Sequence, residues 1–170
     1  IIGGTSNSGN RYQKTEDSHG YKDYWVLKLN SAGSIEWQKT IGGDNGEIFC
    51  DIRQTADGGY ILGGSSVSGV SGNKTENAHG SLDYWIVKLN QNGVIEWQKT
   101  IGGDLEDNLK SIEQTLDGGY ILGGFSNSNI SYEKTDNRHG GGDYWIVKLN
   151  QNGIIEWQKT IGGSETDEFE

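Results

Sequence analysis

Apolar residues in this chain fall in short runs broken by glycine, asparagine and aspartate, and none follows the three-to-four spacing of an amphipathic helix. Four runs define the pattern: GYILGG at 119–124, DYWIVKLN at 83–90, VIEWQKTIGG at 94–103 and LKSIEQT at 109–115. Their β-branched and aromatic content predicts strands. Leu-Asp-Gly-Gly and Gln-Asn-Gly between runs predict tight hairpins, hence antiparallel pairing. Asn-Gly suggests a type I′ turn with positive φ at both central residues, and Ser-Ala-Gly at 31–33 is the weaker form of the signal. Along DYWIVKLN, Trp85, Val87 and Leu89 face one way while Tyr84 and Ile86 face the other. A sheet with one wet face alternates apolar and polar residues. Two apolar faces instead predict sheets stacked on sheets.

The runs recur without gaps every 60 residues. DYWVLKLN at 23–30 returns as DYWIVKLN at 83–90 and 143–150, and IEWQKTIGG at 35–43 returns at 95–103 and 155–163. The repeats are taken as 1–60, 61–120 and 121–170, the first starting mid-unit and the last truncated. Such self-similarity predicts a repeat architecture in which neighbouring units bury one another's faces. The expected fold is all-β: blades of a β-propeller, each a four-stranded antiparallel sheet, forming an incomplete segment of a larger propeller. A β-solenoid is the alternative, disfavoured by the hairpin turns. The length beyond a common blade repeat lies in the polar segment 65–82, a surface loop.

The repeated string DGGYILGG…DYWIVKLN…IEWQKTIGG resembles the repeats of large secreted bacterial β-propeller proteins, often cargo of type IX secretion. That resemblance spans nearly the whole chain. It implies a secreted or cell-surface location and a binding or structural role, with no specified ligand.

Composition narrows the partners. The formal net charge is −10 and the pI about 4.7, which argues against nucleic acid and anionic membrane surfaces. No apolar run is long enough to span a bilayer. Cys50, the single cysteine, is replaced by Lys110 one repeat later, so it belongs to no repeated disulfide or metal framework. It reads as a small strand residue.

Four groups of residues are candidates for chemistry. His-Gly-x-x-Asp-Tyr-Trp recurs as His19/Asp23, His79/Asp83 and His139/Asp143. It reads as a structural network in which imidazole and carboxylate tie the long loop to a strand start; a metal or ligand role is the rival. The acidic stretches Asp44, Asn45, Glu47, then Asp104, Glu106, Asp107, then Glu165, Asp167, Glu168 offer oxygen ligands for weak calcium binding, but the carboxylates are read as shifting between copies. No metal site and no other cofactor is assigned. Trp25, Trp85 and Trp145, with Trp37, Trp97 and Trp157, sit mid-strand and read as core, with stacking on sugars as the alternative.

The fourth group is the long loop. Ser6, Ser8, Lys14, Thr15, His19 and Gly20 recur in later copies while Arg11, Tyr12, Gly72 and Tyr132 vary. A constant frame with variable positions suits a binding surface, because loops carry function on rigid scaffolds. The ligand-binding candidates are Arg11, Tyr12, Lys14, His19, Lys74, His79, Tyr132, Lys134 and His139. No nucleophile elbow, zinc-protease motif or P-loop is present, so no catalytic residue is assigned and the chain is not expected to be an enzyme. The expected function is a non-catalytic module mediating protein–protein or surface adhesion through blade loops. Its partners would be a protein or glycan on a surface and the remaining blades of the parent chain. The alternatives are a multivalent carbohydrate-binding propeller, or part of a propeller enzyme whose active site lies in missing blades.

Overall fold

A computed structural model describes residues 1–167. Eleven strands and no helix occur among them: β1 (Ile2–Ser6), β2 (Asp23–Leu29), β3 (Ile35–Ile41), β4 (Glu47–Gln54), β5 (Tyr60–Ser66), β6 (Asp83–Leu89), β7 (Ile95–Ile101), β8 (Asp107–Gln114), β9 (Tyr120–Ser126), β10 (Asp143–Leu149) and β11 (Ile155–Ile161). They form three antiparallel sheets in chain order: β1-β2-β3, β4-β5-β6-β7 and β8-β9-β10-β11. Among the described residues, no helix is long and apolar enough to cross a membrane. The second and third sheets cover 47–101 and 107–161, so each runs across a boundary of the sequence repeat.

The hairpins at 30–34, 90–94 and 150–154 differ in one respect from a type I′ turn. Only the glycine has positive φ, at +79°, +75° and +74° for Gly33, Gly93 and Gly153; Asn92 and Asn152 do not. Gly93 N–H donates to Asn90 O at 3.0 Å, and Asn90 N–H to Val94 O at 2.9 Å. One left-handed position is enough for this longer turn, so Ser-Ala-Gly serves as well as Gln-Asn-Gly. The Asn90 side chain adds the second constraint, its Oδ1 accepting from Asn92 and Val94 N–H at 2.9 and 3.1 Å. Cys50 and Lys110 occupy equivalent positions where the register shifts between Phe49 and Asp51 and between Leu109 and Ser111. A bulge leaves its residue without a fixed cross-strand partner. Burial pushes the Cys50 thiol up to about 11.

Both faces of β6 are buried, in different directions. Trp85, Val87 and Leu89 pack with Tyr24, Val26 and Ile41 of the first sheet. Tyr84 and Ile86 pack with Leu109, Leu122, Trp145 and Val147 of the third. The stacking contacts repeat from one boundary to the next. Tyr24 O–H donates to Trp85 O at 3.3 Å, and Tyr84 O–H to Trp145 O at 3.2 Å. The Tyr24 and Trp85 rings lie 5.1 Å apart, as do Tyr84 and Trp145. Trp37 meets Tyr60 edge-on at 5.7 Å, as Trp97 meets Tyr120. Where no sheet follows, the same position opens: Trp157 is 48% exposed.

Candidate functional site

The long loops between the second and third strands of each unit are held rigidly. Gln98 Oε1 accepts from Trp85 Nε1 at 3.0 Å and from Thr75 N–H at 3.2 Å, while its Nε2 donates to Asn73 O at 2.5 Å. Gln158 repeats all three bonds with Trp145, Thr135 and Glu133, and Gln38 repeats two with Trp25 and Gln13. Glu76 reaches Lys99 Nζ at 2.8 Å and Thr100 N–H at 2.7 Å, and Glu16 does the same with Lys39 and Thr40 at 3.0 and 2.6 Å. The loops are thus anchored to the outer strand of their own sheet.

The three candidate lysines lie inside this frame. Lys14, Lys74 and Lys134 are all buried. Lys74 Nζ donates to Thr100 Oγ1 and lies 5.3 Å from the centre of the Trp85 ring. Lys134 Nζ donates to Thr160 Oγ1 at 2.5 Å and lies 4.9 Å over Trp145. Lys14 Nζ instead donates to the Ser8 and Glu16 carbonyls at 2.9 and 2.8 Å. Burial lowers the Lys74 ammonium to about 8, with Asp83 opposing the shift.

The histidine–aspartate motif also differs from the expected side-chain pair. The carboxylates of Asp23, Asp83 and Asp143 accept from the backbone N–H of His19, His79 and His139 at 2.8, 2.5 and 2.5 Å. His19 and His139 are exposed, and His79 is half-buried. The other carboxylate oxygen, Oδ1, has no partner in any of the three copies and is buried. Beside it lies a second carboxylate. A Cβ on Gly42 would stand 1.7 Å from Asp23 Oδ1 and 2.8 Å from Glu47 Oε2; on Gly162, 2.2 Å from Asp143 Oδ1 and 2.7 Å from Asp167 Oδ2. Glu47, Asp107 and Asp167 occupy one position of the repeat. The acidic stretch therefore does keep a carboxylate in register.

Glu47 and Asp107 cap the crossovers into the second and third sheets. Glu47 Oε2 accepts from Gly43 N–H at 2.9 Å and Oε1 from Ser66 and Ser68 Oγ at 2.8 and 2.6 Å. Asp107 Oδ2 accepts from Gly103 N–H at 2.6 Å and Ser128 Oγ at 3.0 Å. Burial raises the Glu47 and Asp107 carboxyls, and burial with the Asp107 charge raises Asp83 to about 6. Asp44 and Asp104 instead bind Ser71 and Ser131 hydroxyls at 2.9 and 3.1 Å. Among the described residues, no three His, Cys, Asp or Glu side chains gather as for a metal ion. Glu168 lies outside the described residues.

What the loops leave accessible is a groove at each boundary between sheets. The first, about 670 Å³, runs between His19, Glu16 and Lys39 on one side and Asn73, Gly93 and Val94 on the other. The second, about 510 Å³, is lined at matching positions by His79, Glu76, Lys99, Glu133, Gly153 and Ile154. Ile41 and Ile101 line the respective grooves. The structure thus places His19 and His79 in equivalent grooves. Tyr132 comes to lie on His79, while His139 is exposed beyond the last boundary. Arg11, Tyr12 and Lys14 gather with Trp25 around a separate hollow of about 830 Å³ on the first sheet. Gln38, Gln98 and Gln158 are absent from the sequence candidates, whereas Glu47, Asp107 and Asp167 are among the acidic stretches but without their shared repeat position. Their constant 60-residue spacing within IEWQKTIGG and after it was the available signal.

No protein-family model matches the chain, and no curated protein sequence matches it.

Proposed function

We propose that the chain is a non-catalytic binding module, built of β-propeller blades belonging to a secreted or cell-surface protein. In this reading each sheet is a blade and the grooves between successive blades are the places where a surface protein or glycan is engaged. One observation carries the reading. The loop frame is fixed by the same hydrogen bonds at every boundary, while the residues it presents at the groove mouth change from Gly72-Asn73 to Tyr132-Glu133. A constant scaffold with variable tips is how rigid folds tune recognition. Preformed loops also reduce the ordering cost of association.

The test is adhesion of the intact chain to immobilised surface proteins and to a glycan array, before and after exchanging the tip residues 71–73 and 131–133 between loops. Under this reading binding changes with the exchange while the folded spectrum does not. Specific glycan capture that follows the tips would favour the carbohydrate-binding form of the module. Binding that ignores every tip exchange would reject the loop surface as the site.

A further inference from the structure

The two grooves are equivalent by repeat but finished differently, and the difference describes a ligand. In the second groove the Tyr132 ring stacks on the His79 imidazole, with centroids 4.2 Å apart and planes 15° from parallel. The next residue, Glu133, brings Oε2 within 3.2 Å of His79 Nε2. Tyr132 does this from a left-handed backbone conformation, φ +46°, which L-residues other than glycine, asparagine and aspartate rarely adopt. Tyr12, Gly72 and Tyr132 occupy one position of the repeat and all take positive φ, so the conformation belongs to the loop turn itself.

In the first groove the same two positions are Gly72 and Asn73. Gly72 has the same left-handed conformation, φ +54°, and a Cβ on it would stand 2.4 Å from Gly42 O and 3.1 Å from His19 Cγ. A side chain there would adjoin the His19 ring only with a shift of the Gly42 carbonyl. Asn73 Oδ1 is turned to Gly42 N–H at 3.2 Å, and its shorter side chain supplies no charge. Among the described residues, no ring contact and no hydrogen bond reaches the His19 imidazole, which is exposed. Lys39 stands in the same groove, partly neutralised by Glu16 at 3.0 Å.

We propose that the groove between the first and second sheets binds a planar ring carrying a nearby carboxylate, seated on His19 as Tyr132 and Glu133 are seated on His79. The ring stacks on the imidazole and the carboxylate takes the position of the Glu133 side chain, accepting from Nε2. In the second groove the chain's own Tyr132 and Glu133 already take the equivalent position on His79, while about 510 Å³ of the groove stays open. This chemistry is shared by a free aromatic acid and by an exposed Tyr-Glu pair on a partner. The inference rests on the reading of the grooves as binding surfaces and adds a ligand class to one of them.

The test follows the imidazole resonances of the full chain, carrying ¹³C-histidine, during titration with 4-hydroxyphenylacetate and, separately, with acetyl-Tyr-Glu-amide. The expected result is a saturable shift of His19 with little movement of His79. Binding of the peptide alone would identify a partner segment as the source, and binding of both a free acid. Acetyl-Tyr-Gln-amide should bind at least tenfold more weakly. Gly72→Tyr with Asn73→Glu should reduce binding at His19 at least tenfold by taking that position from within. Tyr132→Gly with Glu133→Asn should make the His79 resonances shift with the probes as those of His19 do. The spectrum itself reports that each variant is folded. A folded protein whose His19 ignores both probes, or a Gly72→Tyr/Asn73→Glu variant that binds like the parent, would overturn the proposal. That result would leave adhesion through other tip residues standing, and tip exchange tests it separately.

Discussion

Asp83 gives the most quantitative prediction. Its carboxyl is fully buried, one oxygen is unpartnered, and burial beside Asp107 raises it from 3.8 to about 6. A shift of about 2 units corresponds to roughly 3 kcal/mol of charge burial in the folded state. The sign follows from the upward direction. Above about pH 6 both folded and unfolded chains are ionised, and the folded state bears the full cost. As pH falls from 6 towards 4 the folded carboxyl takes up a proton first, and the cost is relieved. Asp83→Asn keeps an acceptor for His79 N–H and puts an N–H donor where the unpartnered oxygen stands. The variant should therefore be about 2–3 kcal/mol more stable than the parent at pH 8, with the difference vanishing by about pH 4. Urea unfolding followed by tryptophan fluorescence, at several pH values across that window, measures it. Neighbouring His79, Lys74 and Asp107 stay unchanged in the comparison. A variant less stable at pH 8, or a difference independent of pH, would refute the reasoning.

Gln98→Ala removes the acceptor of Trp85 Nε1 and two bonds to the loop, and should cost about 1–3 kcal/mol, with faster hydrogen exchange confined to residues 67–82. Gly102→Ala would put a Cβ 2.0 Å from Asp83 Oδ1 and should destabilise by about 1–3 kcal/mol, whereas Gly4→Ala, with nothing within 4 Å, should be near neutral by the same unfolding assay. Asp57 is held down to about 2 by Lys88 and Thr55. Being largely exposed, it should contribute no more than about 1 kcal/mol above pH 4, lost as pH falls through 2, and Asp57→Asn should show that small loss only at neutral pH.

The strands were legible because their signal is local. Tyr84 and Trp85 sit on opposite faces by simple alternation, and each face finds a neighbouring sheet. The hairpins were legible as hairpins, but the turn type depends on how many residues take positive φ, and the glycine alone satisfies it. The lysines mislead for a physical reason. Lys74 looks like a solvent-facing loop cation, yet Trp85, Thr100 and Asp83 receive it through contacts that only folding creates. The buried carboxylate pairs were hidden in the same way, since Asp83 and Asp107 meet only at the crossover between sheets. The stacking of Tyr132 on His79 joins residues from different repeats and has no local sequence signature.

Successive repeats bury one another's faces, and the grooves lie where they meet. Ile41, Ile101 and Ile161 occupy one position of the repeat, with exposures of 2%, 1% and 51%. They share strand position and sequence context and differ in whether a following sheet covers them. The most direct measurement is the stability cost of Ile101→Ala against Ile161→Ala by urea unfolding. The stacked arrangement predicts about 2–5 kcal/mol for the first and less than about 1 kcal/mol for the second. Equal costs at the two positions would contradict it.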